Sequence, residues 1–192
     1  MLNVVRTVLV STALACAGLA GCGPYVPPDT AQMTMVRGFP VMTENDAINL
    51  IEYYLARPES THGLPALGAR AVASADWLAG RPYLTGDYGD YAPVTRIQWV
   101  IARREWRAVL GIAPGTPSQV VVDHLLFAAM ALEHADRALA LAQLQPPAFT
   151  LGPDRTLDVL GNLPYLTALP NAATDLQNHL HRDGRCDMMV PC

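Results

Sequence analysis

No proline or glycine interrupts the chain between Pro117 and Pro146. Up to about 28 residues, or about 42 Å, can therefore run as one helix. Thr116 with Gln119 reads as a capping box at its start, and Pro117 suits a first turn. Val120, Val121, Leu125, Phe127, Leu132 and Leu139, interleaved with Ala128, Ala131, Ala135 and Ala138, make this stretch apolar nearly all round. Only a seam of Gln119, Asp123, Glu133, His134 and Arg137 is polar, with Asp136 outside it. A helix of that kind is stable only when other elements surround it, and its alanines let them approach closely. The expectation is an all-α protein, an irregular bundle of five or six helices around a long central helix. No run of alternating apolar and polar residues argues for a strand.

The other helices are shorter and better punctuated. Thr43 can cap a first helix whose opening residues Glu44 and Asp46 suit the positive end of the helix dipole. Ala47, Ile48, Ile51, Tyr54 and Leu55 then recur at helical spacing until Pro58. Pro65 reads as the first residue of a second helix ending at Gly80, with Leu67, Ala71, Ala75 and Leu78 on one face. A third spans Val94 to Leu110 and is closed by Gly111. After Pro147 two short helices are expected, Asp154 to Leu160 behind Pro153 and Ala172 to Arg182 behind Asn171. Between Pro82 and Pro93 a doubled Gly-Asp-Tyr, residues 86–88 and 89–91, reads as a loop carrying two tyrosines and the carboxylates of Asp87 and Asp90.

Ahead of the helices lies an address. Met1 to Thr7 carries one charge, Arg6, and Val8 to Ala17 is apolar but too short to span a bilayer, which takes about 20 residues. This is the build of a signal peptide. It ends on Leu19-Ala20-Gly21-Cys22, which resembles the lipobox of bacterial lipoproteins at all four positions. The resemblance covers residues 1–22 and implies diacylglyceryl transfer to the Cys22 sulfur, cleavage after Gly21 and acylation of the new amine. More than one acyl chain makes a lasting anchor in membrane lipid. Position 23 is Gly, where Asp in that family favours retention at the inner membrane, so in a Gram-negative host the outer membrane, periplasmic side, is expected. The chain then divides into a cleaved leader (1–21), a lipidated N-terminus with an extended, proline-rich tether (22–42) and a single helical domain (43–192).

Of 192 residues, 171 remain after cleavage, enough for one core and hardly for two. The leader holds Arg6 and no acid, so the net charge of -4 becomes -5, a poor match to nucleic acid. All 13 basic residues are arginine, as a GC-rich coding sequence would give. Cys16 leaves with the leader and Cys22 takes lipid. The remaining pair, Cys186 and Cys192, suits one local disulfide in an oxidising envelope.

Catalytic patterns are thin. Met130 to His134 has the spacing of an inverted zinc-protease motif, but Met130 replaces the first histidine. Glu133 reads instead as a helical partner of Arg137. Asp123 and His124 are adjacent on a helix and point about 100 degrees apart, so they form no dyad. His124 reads as a core histidine. His179, His181, Cys186, Met188 and Cys192 bear soft-metal ligands, yet the two histidines diverge and a disulfide would consume the thiols. No metal or cofactor is expected.

One constellation suggests recognition. Arg96, Arg103 and Arg107 fall within about 40 degrees of one another on the third helix, beside Trp99 and Trp106. No acid stands one turn away from any of the three, so their counter-charges come from another segment, such as Asp87 and Asp90, or from another molecule. Arg and Trp together are common at binding hot spots. The expected function is a lipid-anchored, non-enzymatic envelope protein that binds an envelope protein or cell-wall component, with these five residues as the contact. The alternative is a small hydrolase acting on peptidoglycan through Asp87, Asp90 or Asp123.

Overall fold

The computed structural model describes residues 29–80 and 93–182. Cys22 with its lipobox, Asp87 and Asp90 in the Gly-Asp-Tyr loop, and the Cys186 and Cys192 pair lie outside the described residues. Within them the protein is a helical bundle: α1 (Glu44–Leu50), α2 (Pro65–Gly80), α3 (Pro93–Val109), α4 (Ser118–Glu133), α5 (Arg137–Gln143), α6 (Pro153–Leu160) and α7 (Leu169–Arg182). A π-helical turn, Ile51–Leu55, extends α1, and a 3-10 turn, Pro58–Thr61, leads towards α2. Among the described residues the only strands are β1 (Met35–Val36) and β2 (Phe39–Pro40), an antiparallel pair pairing Met35 with Pro40. Their turn places Arg37 and Gly38 at φ of 52° and 84°, the left-handed pair that a tight hairpin requires.

The surrounded helix is α2. It packs against α1, α3, α4 and α6, and every residue from Ala71 to Gly80 is buried. Its composition explains the position: Ala69, Ala71, Ala73, Ala75 and Ala79 present little bulk, so α4 lies close along it. At Gly68 the approach is closest, since a Cβ there would run into the Leu160 carbonyl of α6. Trp99, Trp106, Phe149, Leu125, Leu126 and Leu160 are the largest side chains sealed around this centre.

The expected long helix is two helices at an angle. α4 stops at Glu133, and Ala135 adopts φ of 58° although no glycine or proline stands there. A left-handed alanine costs about 1 kcal/mol or more. The turn is held by the Asp136 amide donating to the Ala131 carbonyl at 2.8 Å and by the Asp136 carboxylate capping α5 through the Leu139 amide at 2.9 Å. Ion pairs reinforce the break. Glu133 turns to Arg70 of α2 and Arg137 to Asp154 of α6, so the expected Glu133–Arg137 pair does not form.

Two further expectations change at the N-terminal side. The Thr116–Gln119 box is absent, and α4 begins at Ser118 behind Pro117 with no local side-chain cap. Residues 29–42, expected as tether, lie on the bundle: Ala31, Thr34 and Met42 are buried, and the Thr34 hydroxyl donates to Asp123 at 2.6 Å. Periodicity misses such a strap because its contacts are single residues inserted between helices, without a repeating face. By contrast, the Thr43 cap forms as a full capping box with Asp46.

Candidate functional site

Asp76 lies near the end of α2 in a run of small apolar residues and is fully buried. A lone carboxylate there would be driven to its neutral form. Instead four side chains of α3 and α4 converge on it. Arg107 donates from Nε to Oδ2 and from Nη2 to Oδ1, both at 2.8 Å, a bidentate pair. Arg103 Nη2 reaches Oδ1 at 3.2 Å, and the Trp106 indole N–H donates to Oδ2 at 2.9 Å. The Ser118 hydroxyl, at the first residue of α4, donates to Oδ1. Burial alone would push the Asp76 carboxyl up. The Arg107 hydrogen bonds, the charges of Arg103 and Arg107 and the Ser118 hydroxyl outweigh it and hold the group below the usual carboxylate value.

A second carboxylate, Asp29 of the strap, reaches the same arginines from outside. Its backbone carbonyl accepts from Arg103 Nη1 at 2.8 Å, and its Oδ2 lies 3.4 Å from Arg103 Nη2 and 3.8 Å from Arg107 Nη2. It also accepts the Ser118 amide, so it serves as the cap that α4 lacks locally. Gly80 makes room for this strap, its ideal Cβ position being 3.0 Å from the Thr30 Cα. Arg107 completes its bonds on the Thr116 carbonyl at 2.8 Å and the Ser118 hydroxyl at 2.9 Å.

Beside this network lies a cleft of about 640 Å³ between α3 and the 112–117 loop. Val100, Ala108, Ile112 and Pro114 give it apolar walls, while Asp29 and Arg104 supply opposite charges. Arg104 is exposed and carries no ion pair to another described residue.

The five residues expected to contact a partner thus separate. Trp99 and Trp106 are fully buried, packed edge to face with ring centroids 6.5 Å apart, and present nothing to a partner. Their side of α3 is turned inward by the need to cover Asp76 and α2. Arg103 and Arg107 are mostly buried and committed to Asp76. The Arg96 side chain lies outside the described residues. The counter-charges do come from another segment, but from Asp76 and Asp29. Helical spacing does not single out Asp76; the signal for it is an acid set within an alanine-rich helix. Arg104 falls off the arginine stripe, so spacing alone does not group it with the others.

The remaining sites are structural in geometry. Asp123 accepts from Thr34 and from Gln119 Nε2 at 3.1 Å. His124 Nδ1 lies 2.6 Å from the Gln143 carbonyl, with its ring against Phe149, as a core histidine should. Among the described residues no three His, Cys, Asp or Glu side chains gather as a metal site would need, and no helix is long and apolar enough to cross a membrane. No family model, curated protein or solved structure matches the chain.

Proposed function

We propose that this protein is a bacterial envelope lipoprotein whose helical domain works by binding, as a scaffold or assembly factor for a membrane or cell-wall complex. The observation that carries this reading is the clamp on Asp29. It stands seven positions after Cys22, and a fully extended chain of that length spans only about 25 Å. With Cys22 acylated, the side of the domain bearing Asp29, Arg103 and the start of α4 stays within that reach of the lipid surface. Exposed Arg104, which lines one cleft with Asp29, is then held near the membrane, where it can meet an acidic partner. Asp46, Asp76, Glu105 and Glu133 are all held below their ordinary values by hydrogen bonds or charges within the domain, as carboxylates that hold a fold together are.

Expression of the full chain and of Cys22→Ala, followed by membrane fractionation and mass spectrometry of the N-terminus, tests the anchor. The wild type is expected at membranes with an acylated Cys22, and the variant as an unprocessed precursor. Crosslinking in intact cells, with and without Arg104→Glu, tests the binding role, the variant losing the crosslinked species. A free, unacylated mature N-terminus overturns the lipoprotein reading.

A further inference from the structure

A second cavity, of about 610 Å³, is walled by α1, the π-helical turn, the segment after β2 and Arg70 of α2. The helical repeat explains what faces it. Ala47, Ile48, Ile51 and Leu55 are buried against the bundle, so Asp46, Asn49, Leu50 and Tyr53, spaced i, i+3, i+4 and i+7, form the outward stripe. The π-helical turn, closed by the Ala56 amide on the Ile51 carbonyl at 3.2 Å, adds Tyr54 to that wall. Such turns are frequent at functional sites. The two tyrosine rings pack against each other with centroids 5.7 Å apart at 57°, and Tyr53 is 62% exposed. Arg57 lies over the Tyr53 ring at 5.1 Å and steadies it.

The polar groups around the cavity keep hydrogen-bonding capacity to spare. Asp46 spends Oδ2 on the Thr43 amide and hydroxyl, at 2.9 and 2.7 Å, leaving Oδ1 as an acceptor. The Asn49 amide and both tyrosine hydroxyls make no hydrogen bond to another described residue. Arg70 is locked by Glu133 through Nε and Nη2, at 2.6 and 2.7 Å, so its charge is compensated while Nη1 takes no part in that pair. The floor is apolar, with Val41, Leu50 and Met42, whose sulfur is pinned by the Ser74 hydroxyl at 3.0 Å. Asp46 opposes an anionic ligand, and Arg57 beside the Tyr53 ring opposes a cationic one. A neutral ligand with an apolar face for the tyrosines and hydroxyls or amides at its rim satisfies every wall.

We propose that this cavity, built by Asp46, Asn49, Tyr53 and Tyr54, binds a sugar unit of an uncharged glycan strand. The ring's C–H face rests on Tyr53 while its hydroxyl and acetamido groups bond to Asp46 Oδ1, Asn49 and Arg70. The site is independent of Cys22 and of the Arg104 cleft.

Calorimetric titration of the full chain in detergent with tetra-N-acetylchitotetraose, and with maltotetraose, tests the proposal. Saturable binding of at least one is expected. Tyr53→Ala should weaken it about tenfold, the scale of one aromatic contact. Tyr53→Phe should keep most of the affinity, and Asn49→Ala should reduce it several-fold. Tyr53 and Asn49 are exposed, so unchanged circular dichroism and melting temperature are expected for each variant. Phe127→Ala, on a separate exposed surface of α4, should bind as wild type. Absence of saturable binding to both oligosaccharides overturns the proposal, as does binding that Tyr53→Ala and Asn49→Ala leave intact.

Discussion

Arg107 and Asp76 meet edge to edge inside the bundle, two parallel hydrogen bonds of 2.8 Å joining α3 to α2 where neither carboxylate oxygen can reach water. Removing one member of such a pair leaves the other charge buried and uncompensated, which costs about 3–5 kcal/mol. Asp76→Asn is therefore expected to lower unfolding free energy by that amount in urea titration, with the m-value unchanged. Arg107→Lys should also destabilise, because an ammonium cannot reproduce the fork. Reversing Arg103 or Arg107 to Glu would unfold the domain, so surface recognition is better tested at Arg104.

Acid should expose the same network. In the folded chain Asp46, Asp76, Glu105 and Glu133 all titrate below their unfolded values. A depressed carboxyl contributes stability that is complete above its unfolded pKa and is lost as pH falls through its folded one. Unfolding free energy is expected to be level with respect to these groups down to about pH 5 and to fall below about pH 4. Asp76→Asn, besides its lower plateau, should show a shallower acid limb when denaturation midpoints are followed from pH 7 to pH 2.

Glu105 of α3 caps α7 across the bundle, accepting the Thr167 amide at 2.8 Å, the Thr167 hydroxyl at 3.0 Å and the Ala168 amide at 3.1 Å. Burial works against its ionisation, and these donors outweigh it. Glu105→Ala should cost about 1 kcal/mol, as lost caps do. Amide exchange near the start of α7 should accelerate while α2 and α4 stay protected.

The strap gives a local test. Gly80→Val puts bulk against Thr30, whose Cα and Cβ lie 3.0 and 3.4 Å from the ideal Cβ position. Faster hydrogen exchange is expected at the amides of Gln32, which donates to Gln119, and of Ser118, which donates to Asp29. The Leu125 and Leu126 amides in α4 should remain slow.

Exposed charge should matter little. Arg137 and Asp154 pair at 2.9 Å with side chains 59% and 72% exposed, so Asp154→Ala is expected to cost under about 1 kcal/mol. Leu126→Ala, fully buried, should cost about 2–5 kcal/mol in the same denaturation assay.

Local chemistry explains which parts were readable from residues. Thr43, Pro65 and Pro153 mark helix starts because capping and proline geometry act within a few residues. The break at Ala135 was hidden: Leu132, Glu133, Ala135 and Arg137 favour helix, and it is partners as remote as Arg70 and Asp154 that accompany the turn. The arginines showed a missing counter-charge, yet not its source, since Asp76 is 27 positions before Arg103 and Asp29 is 74. The strap looks like a tether in sequence because its proline-rich start resembles a linker and its anchoring contacts are isolated side chains.

Asp29 also decides how the domain carries load. Among the described residues, tension applied at its N-terminal side first meets Arg103 and the Ser118 amide. Both belong to helices riveted to Asp76, so the pull passes directly to the centre of the bundle. The hold there is several charge-assisted bonds gathered at one residue, where a strap held by a row of weak contacts would yield one contact at a time. The hairpin of residues 35–40, downstream of this rivet, is shielded from force until it fails.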